Sequence, residues 1–165
     1  MKTRIIFCML ISGILLTLPF RSPAQSYGAP TLPEFMFQTM DGKVFTKAEM
    51  VKNKTSIFIL FDVTCEHCMH EISDIAKNYD SFKDVEFYLV SMDNKQGILS
   101  FISNYGKGLY GRQNVTVLQD FRSEFVQKFR PERFPALFVY SKTGSLIKYM
   151  AGQKKSADIL KVLKK

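Results

Sequence analysis

Two cysteines separated by two residues, Cys65 and Cys68, are the part of this sequence best suited to chemistry. A thiolate can attack a disulfide sulfur, and a second thiol nearby can then resolve the mixed disulfide, so the pair predicts thiol–disulfide exchange. A static structural disulfide is the alternative, but so short a loop gains little stability from loop closure. We therefore interpret Cys65 as the attacking thiol and Cys68 as the resolving thiol.

A strand and a helix flank the cysteines. Residues 56–61 are short and almost wholly apolar, as in a strand that is buried on both faces of a sheet. From Glu66 onward the apolar residues recur at helical spacing, at Met69, Ile72, Ile75, Ala76 and Tyr79. Cys65 therefore lies at or just before the first helical turn, where free N–H groups and the helix dipole favour a thiolate.

This arrangement resembles the thioredoxin superfamily, in which a C-x-x-C follows a strand of an α/β fold. Phe134-Pro135 precedes the apolar segment 136–140, at the point where that superfamily has a cis-proline facing the cysteines. Glu71 matches the buried glutamate of the extracytoplasmic TlpA/ResA-like oxidoreductases, which often read C-E-P-C-x-x-E. The resemblance covers roughly residues 31 to 165.

The resemblance implies an α/β, thioredoxin-like fold with a central mixed β-sheet flanked by helices. Residues 35–45 predict an N-terminal β-hairpin around Asp41-Gly42, and residues 46–49 have a capping-box pattern. The 67 positions from Cys68 to Pro135 leave room for a strand–helix insertion, as TlpA-like proteins have.

The remaining pattern predicts further strands and helices. We expect strands at 85–90, 115–118 and 146–150, helices at 95–105 and 121–129, a glycine-rich loop at 106–114 and a C-terminal helix. In the helix at 121–129 the residues expected to face inward are Phe121, Phe125, Val126 and Phe129.

The resemblance also assigns roles around the cysteines. If Glu71 is buried, its pKa should be raised and it could exchange protons with Cys68; an exposed helix position is the alternative. Phe134 and Pro135 would offer their backbone to an extended substrate segment, although Phe134 could equally be a core residue. Glu66 and His67 would tune the thiolate, and His67 occupies the position of the histidine in strongly oxidising relatives such as DsbA.

A second function class stays open because both histidines of the chain lie beside Cys68. Two thiolates with His67 or His70 could hold zinc or copper(I), so a non-catalytic metal-binding or metallochaperone protein is the alternative. No second C-x-x-C or distant histidine completes a tetrahedral site. We therefore expect no metal and no other cofactor.

Peroxide chemistry is disfavoured by the residues before Cys65. Peroxiredoxins have a threonine three positions before their reactive cysteine, where its hydroxyl orients the peroxide. Here Asp62 takes that position, and Thr64 is directly adjacent to Cys65.

The N-terminus predicts export. Residues 1–24 combine a basic start, an apolar run and small residues at the cleavage positions, as in a signal peptide. The apolar run is shorter than the roughly 20 residues that span a bilayer, so a retained anchor is the less favoured alternative. We expect residues 25–33 to form a linker and 34–165 a thioredoxin-like domain in the periplasm, without stable membrane insertion after cleavage.

Charge and partners follow from this assignment. Removing Lys2, Arg4 and Arg21 with the signal peptide lowers the net charge from +8 to +5. The remaining lysines are scattered or C-terminal, so we expect no nucleic-acid binding. The expected partners are protein disulfides or dithiols and a membrane-linked redox donor, with the protein a monomer. The resemblance favours the reductase direction, whereas His67 favours a less reducing protein. The sequence also lacks the tryptophan that the family usually has just before the first cysteine, so its partner surface departs from the family pattern.

Overall fold

The structure is a computed structural model that describes residues 26–164 of the chain, so the predicted signal peptide lies outside the described residues. Its strands are β1 (Met36–Thr39), β2 (Val44–Thr46), β3 (Ser56–Leu60), β4 (Glu86–Ser91), β5 (Val115–Gln119), β6 (Ala136–Tyr140) and β7 (Leu146–Ala151). Its α-helices are α1 (Glu66–Lys77), α2 (Lys95–Tyr105), α3 (Phe125–Phe129) and α4 (Ser156–Leu163). Short 3₁₀ turns follow β2 and α1, at Lys47–Glu49 and Tyr79–Phe82.

The strands of residues 26–164 form one sheet in the order β2-β1-β5-β4-β3-β6-β7. β3, β4 and β5 are parallel, and the other neighbouring pairs are antiparallel. β1 and β2 form the predicted hairpin, whose turn contains Gly42 at a φ of 92°, a conformation that a residue without a Cβ adopts freely. The mixed sheet flanked by helices confirms the predicted fold class.

The core lies on both faces of the sheet, and β3 is buried at every position. Ile57 and Ile59 belong to a largely aliphatic cluster that includes buried residues of α1, α2 and α4. Phe58 and Leu60 belong to a second cluster on the other face, which is rich in phenylalanine and includes α3. The alternation follows from the strand geometry, because successive side chains point to opposite faces.

Helix α3 is shorter than the sequence predicts. It begins at Phe125, not at position 121, and Phe121 lies outside it with 47% of its surface exposed. Val126 is also exposed, at 44%, so the prediction that these two side chains face inward is wrong. Phe125 and Phe129 are buried as predicted and stack with their ring centroids 4.0 Å apart.

Helix α3 starts later than predicted because of the carboxylate of Asp120. Its two oxygens accept hydrogen bonds from the N–H groups of Glu124 and Phe125, at 2.9 and 2.8 Å. These contacts stabilise a tight turn, in which Ser123 has a φ of 54°. The helix therefore starts only after this turn, because a residue in the left-handed region interrupts the helical repeat.

The residues before β1 are attached to the domain. The N–H of Gly28 donates to the carbonyl of Arg130, and that of Ala29 donates to Phe129, both at 3.0 Å. Ala29 and Leu32 are buried. Within residues 26–164, none of the helices has both the length and the apolar character needed to cross a membrane.

Candidate active site

Three distant segments meet at one edge of the sheet because of strand register. Leu60, the last residue of β3, pairs with Ala136, the first residue of β6, and Ala136 also pairs with Ala151 at the end of β7. The residues that follow β3, precede β6 and follow β7 are therefore neighbours. This edge brings the C-x-x-C segment beside Phe134-Pro135, as the sequence predicts, and beside residues 152–155.

Cys65 is the N-cap of α1, the position just before the first helical turn. Its sulfur accepts a hydrogen bond from the N–H of Cys68 at 3.4 Å, while its own N–H donates to the carbonyl of Asp62. The side chain is partly exposed and bears a free thiol. A partly exposed sulfur with a backbone donor beside it at a helix start is well placed to act as a nucleophile.

Cys68 is fully buried, one helical turn further along α1. Burial raises the pKa of its thiol well above the ordinary value, and the hydrogen bond with Cys65 and the charge of Glu71 act in the same direction. The two cysteines are therefore unequal. Cys65 can be reached from solvent, whereas Cys68 is shielded and holds its proton.

Glu71 is buried with no exposed surface, which decides against an exposed helix position. Burial raises the pKa of its carboxyl to about 7, even though the N–H of Lys154 donates to Oε2 at 2.5 Å. Among the described residues, Oε1 has no hydrogen-bond partner. A buried acid with one unpaired oxygen and a pKa near neutrality can both take up and release a proton.

The peptide bond between Phe134 and Pro135 is cis. The carbonyl of Pro135 accepts a hydrogen bond from the N–H of Gly152 at 2.8 Å, which fixes it to the end of β7. Phe134 is partly exposed and packs against both hydrophobic clusters. Its side chain thus helps to form the core while its outer surface lies beside the cysteines' edge of the sheet.

The two residues between the cysteines contact neither sulfur by a hydrogen bond within the described part of the chain. Glu66 is exposed and lies 3.5 Å from Nε2 of His70. His67 is exposed, and its Nδ1 is 3.1 Å from Oε1 of Gln153. Any tuning of the thiolate by Glu66 or His67 must therefore act through their electric field.

Residues 153–156, which the sequence analysis did not single out, fasten the end of β7 to one side of α1. His67 contacts Gln153, Glu71 accepts from the N–H of Lys154, and Asp74 accepts from the N–H of Ser156 at 2.6 Å. Positions 67, 71 and 74 are spaced to lie on one helical face. The only sequence signal near this segment is the strand predicted at 146–150, because the segment has no motif of its own.

Metal ligation requires several donors around one point. Among residues 26–164, no group of three or more histidine, cysteine, aspartate or glutamate side chains is arranged to hold a metal ion. His70 instead lies near Glu66 on the exposed side of the helix.

Comparison with known proteins places the chain in a family. A model of the AhpC/TSA family matches residues 29–149, which is more than half of the sequence. The chain belongs to the AhpC/TSA family. The match includes both cysteines, Glu71 and Phe134-Pro135, while the residues after β7 that contact α1 lie beyond it. A search of curated proteins found no match.

Solved structures show the same fold as this AhpC/TSA family member. A secreted Mycobacterium tuberculosis disulfide oxidoreductase, homologous to E. coli DsbE, is 18% identical with a TM-score of 0.64 and covers 79% of this chain and 94% of its own. StoA from Bacillus subtilis is 16% identical, with a TM-score of 0.62 and coverage of 82% and 99%. A thiol-disulfide oxidoreductase from Bacteroides fragilis is 18% identical, with a TM-score of 0.62 and coverage of 81% and 98%. The family match and this likeness confirm the predicted membership of the thioredoxin superfamily.

Proposed function

We propose that this protein is an extracytoplasmic thiol–disulfide oxidoreductase that acts on other proteins through Cys65 and Cys68, in the reductase direction. The observation that carries the proposal is the inequality of the two thiols beside a buried acid. Cys65 is accessible at a helix start, Cys68 is buried, and Glu71 has a pKa of about 7. Similar structures are named as disulfide oxidoreductases, which supports the same reaction here.

The first step forms a mixed disulfide. The thiolate of Cys65 attacks one sulfur of a substrate disulfide, the substrate S–S bond breaks, and the other substrate sulfur leaves as a thiolate that takes up a proton. Phe134 and Pro135 bind the extended substrate segment beside Cys65 through their backbone. The partly exposed position of Cys65 supports its role as the attacking thiol.

The second step releases the substrate. Cys68 must lose its proton before it attacks the sulfur of Cys65, and its raised pKa makes that loss unfavourable without a base. Glu71 accepts this proton, since its pKa of about 7 leaves a substantial ionised fraction at neutral pH. The attack forms the Cys65–Cys68 disulfide and expels the second substrate sulfur as a thiolate, which takes up the proton that Glu71 accepted from Cys68. Two electrons and two protons have then passed to the substrate.

The oxidised protein must be reset before the next turnover. A membrane-linked dithiol donor would supply two electrons and two protons and thereby restore both thiols. We place the reaction outside the cytoplasm because residues 1–24 have the pattern of a signal peptide. The working protein is then a monomer with one domain at 34–165, and the segment 25–33, predicted as a linker, is bonded to that domain through Gly28, Ala29 and Leu32. It carries no metal or organic cofactor.

Trapping of the mixed disulfide tests the proposal. In Cys68→Ser the second step cannot occur, so complexes of exported protein with its substrates should accumulate and disappear on treatment with dithiothreitol. The control is Cys65→Ser/Cys68→Ser, which should trap nothing. If the single variant captures no protein and the wild type cannot reduce a model protein disulfide, the exchange reaction is excluded.

The redox potential of the pair tests the direction. A potential near that of thioredoxin, about −270 mV, would support a reductase, whereas one near that of DsbA, about −120 mV, would mean an oxidase. Equilibration with glutathione gives the value, since about 30 mV corresponds to a tenfold change in the equilibrium constant.

A further inference from the structure

A cavity of about 330 Å³ opens beside the cysteine pair. This volume is at the lower end of the range for ligand pockets, about 300 to 1,000 Å³. The residues that line it come from the start of α1, from the segment before β6 and from the segment after β7, and they are His67, Arg133, Phe134, Gly152, Gln153, Lys154 and Lys155. We call it the basic cavity because of its charge.

Three lining residues, Arg133, Lys154 and Lys155, are cationic, and none of the lining residues is acidic. The ammonium group of Lys154 donates to the carbonyls of Ala151 and Gly152, so it supplies charge while holding the segment in place. Lys155 is exposed and forms no salt bridge with any residue of the described part of the chain. Its three N–H donors are therefore available to an incoming group.

Arg133 is the second available cation. It pairs with Glu132, but the side chain of Arg133 remains 63% exposed. Exposed ion pairs contribute little free energy, so a substrate carboxylate can compete for the guanidinium, which has five N–H donors. Lys155 and Arg133 come from different segments of the cavity wall, so a single anion in the cavity can contact both.

The cavity adjoins the place where the proposed substrate would bind. His67 is two positions after Cys65, and Phe134 directly precedes Pro135. An extended chain advances about 3.3 Å per residue, so a side chain in the cavity belongs to a residue near the reacting cysteine in the substrate sequence.

We infer that the basic cavity is a subsite for an aspartate or glutamate side chain next to the reacting cysteine of the protein substrate. The inference rests on the proposed exchange reaction and names the substrate class that this site prefers. The carboxylate would lie between Lys155 and Arg133, with the polar rim of Gln153 and His67 beside it. The chemistry of exchange is unchanged, because the subsite acts on encounter and orientation.

Two disulfide peptides test this preference directly. They share one sequence with an internal disulfide and differ only in having glutamate or glutamine two positions from the attacked cysteine. Reduced wild-type protein should reduce the glutamate peptide about tenfold faster at low ionic strength. The ratio should approach one at about 0.5 M salt, where charges more than a few ångströms apart are screened.

A charge-reversal variant identifies the residues. In Arg133→Glu/Lys155→Glu the preference should invert, so that the glutamine peptide is reduced faster. Lys52→Glu/Lys142→Glu is the matched control, because these exposed lysines lie before β3 and after β6, at the opposite end of the strands from the cavity, and their replacement changes the net charge by the same amount as the double variant. The control should keep the wild-type ratio of rates.

The outcomes separate the two proposals. If neither peptide is reduced, the exchange reaction itself fails. If both are reduced at equal rates by the wild type at low salt, or if Lys52→Glu/Lys142→Glu changes the ratio as much as Arg133→Glu/Lys155→Glu, the subsite is overturned. Should the double variant not fold, as judged by circular dichroism, Lys155→Gln alone must still lower the ratio for the inference to stand.

Discussion

Two buried carboxyl groups, Asp120 before α3 and Glu71 within α1, differ in how many hydrogen bonds they accept from the backbone. Both oxygens of Asp120 accept hydrogen bonds from the backbone. Glu71 has one such bond, and its other oxygen has no partner among the described residues. A fully bonded carboxylate fixes the chain, whereas a half-bonded one keeps a raised pKa and can change its protonation state.

Among replacements of polar groups, the largest expected effect comes from removal of the fully bonded carboxylate. Asp120→Ala leaves the N–H groups of Glu124 and Phe125 without a partner, and each unpaired buried donor costs roughly 1 to 3 kcal/mol. We expect the free energy of unfolding to fall by about 4 kcal/mol, as measured by urea denaturation. The control is Asp84→Ala, at an exposed position, which should change stability by less than about 0.5 kcal/mol.

The next effect is a pH dependence with a definite sign. Because the pKa of Glu71 is raised to about 7 from 4.5, the folded state binds a proton that the unfolded state has released. The stability contributed by this proton is present below about pH 4.5 and is lost as the pH rises through about 7. The loss amounts to about 3 kcal/mol.

Glu71→Gln should abolish this loss. Urea denaturation between pH 4.5 and 8 measures the free energy of unfolding of both proteins. As the pH rises, this free energy should increase for the variant relative to the wild type. If the two curves stay parallel, Glu71 does not titrate with a raised pKa and the contrast with Asp120 disappears.

A smaller effect concerns the reaction. If Glu71 accepts the proton of Cys68, Glu71→Gln should slow resolution of a mixed disulfide by about tenfold to a hundredfold near pH 7. Stopped-flow measurement of thiol release gives this rate. Asp74→Asn is the matched control, because Asp74 is on the same helix, also accepts a bond from the segment after β7, and has a lowered pKa. An equal slowing in both variants would assign the effect to loosening of that segment.

The smallest effect tests the turn that Asp120 organises. Phe121→Ser should change the free energy of unfolding by less than about 0.5 kcal/mol, because this side chain is exposed. Phe125→Ala, by contrast, should cost about 3 to 5 kcal/mol. Equal losses in the two variants would mean that Phe121 is packed inside, as the sequence pattern suggests.

These residues also show what sequence patterns can and cannot predict. The segment 56–61 is apolar throughout and followed by C-x-x-C, so the strand and the start of α1 could be predicted from composition and spacing. Phe121 could not, because its spacing to Phe125 fits a helical face equally well. Only the two bonds made by Asp120, which depend on the folded backbone, stop the helix from starting earlier.

The site was predictable to the extent that it is carried by local motifs. Cys65, Cys68 and Phe134-Pro135 stand in recognisable patterns, whereas the burial of Glu71 depends on residues about 80 positions away. Lys154 and Lys155 belong to no motif, and they reach the site only because β7 pairs with β6. Long-range pairing of this kind sets the charge of the cavity without leaving a local signature.

The bond from Lys154 to Glu71 joins residues 83 positions apart, so under the export proposed above the order in which the segments emerge has a chemical consequence. A chain that crosses a membrane with its amino end first presents Cys65 and Cys68 before residues 152–156 emerge. In that interval Glu71 lacks its backbone donor and Cys68 lacks Ile159, a later member of its hydrophobic cluster, so an oxidant can reach both thiols. Emergence of the last segment converts an unselective pair into one in which only Cys65 is accessible. The C-terminal residues thus complete the chemistry as well as the fold.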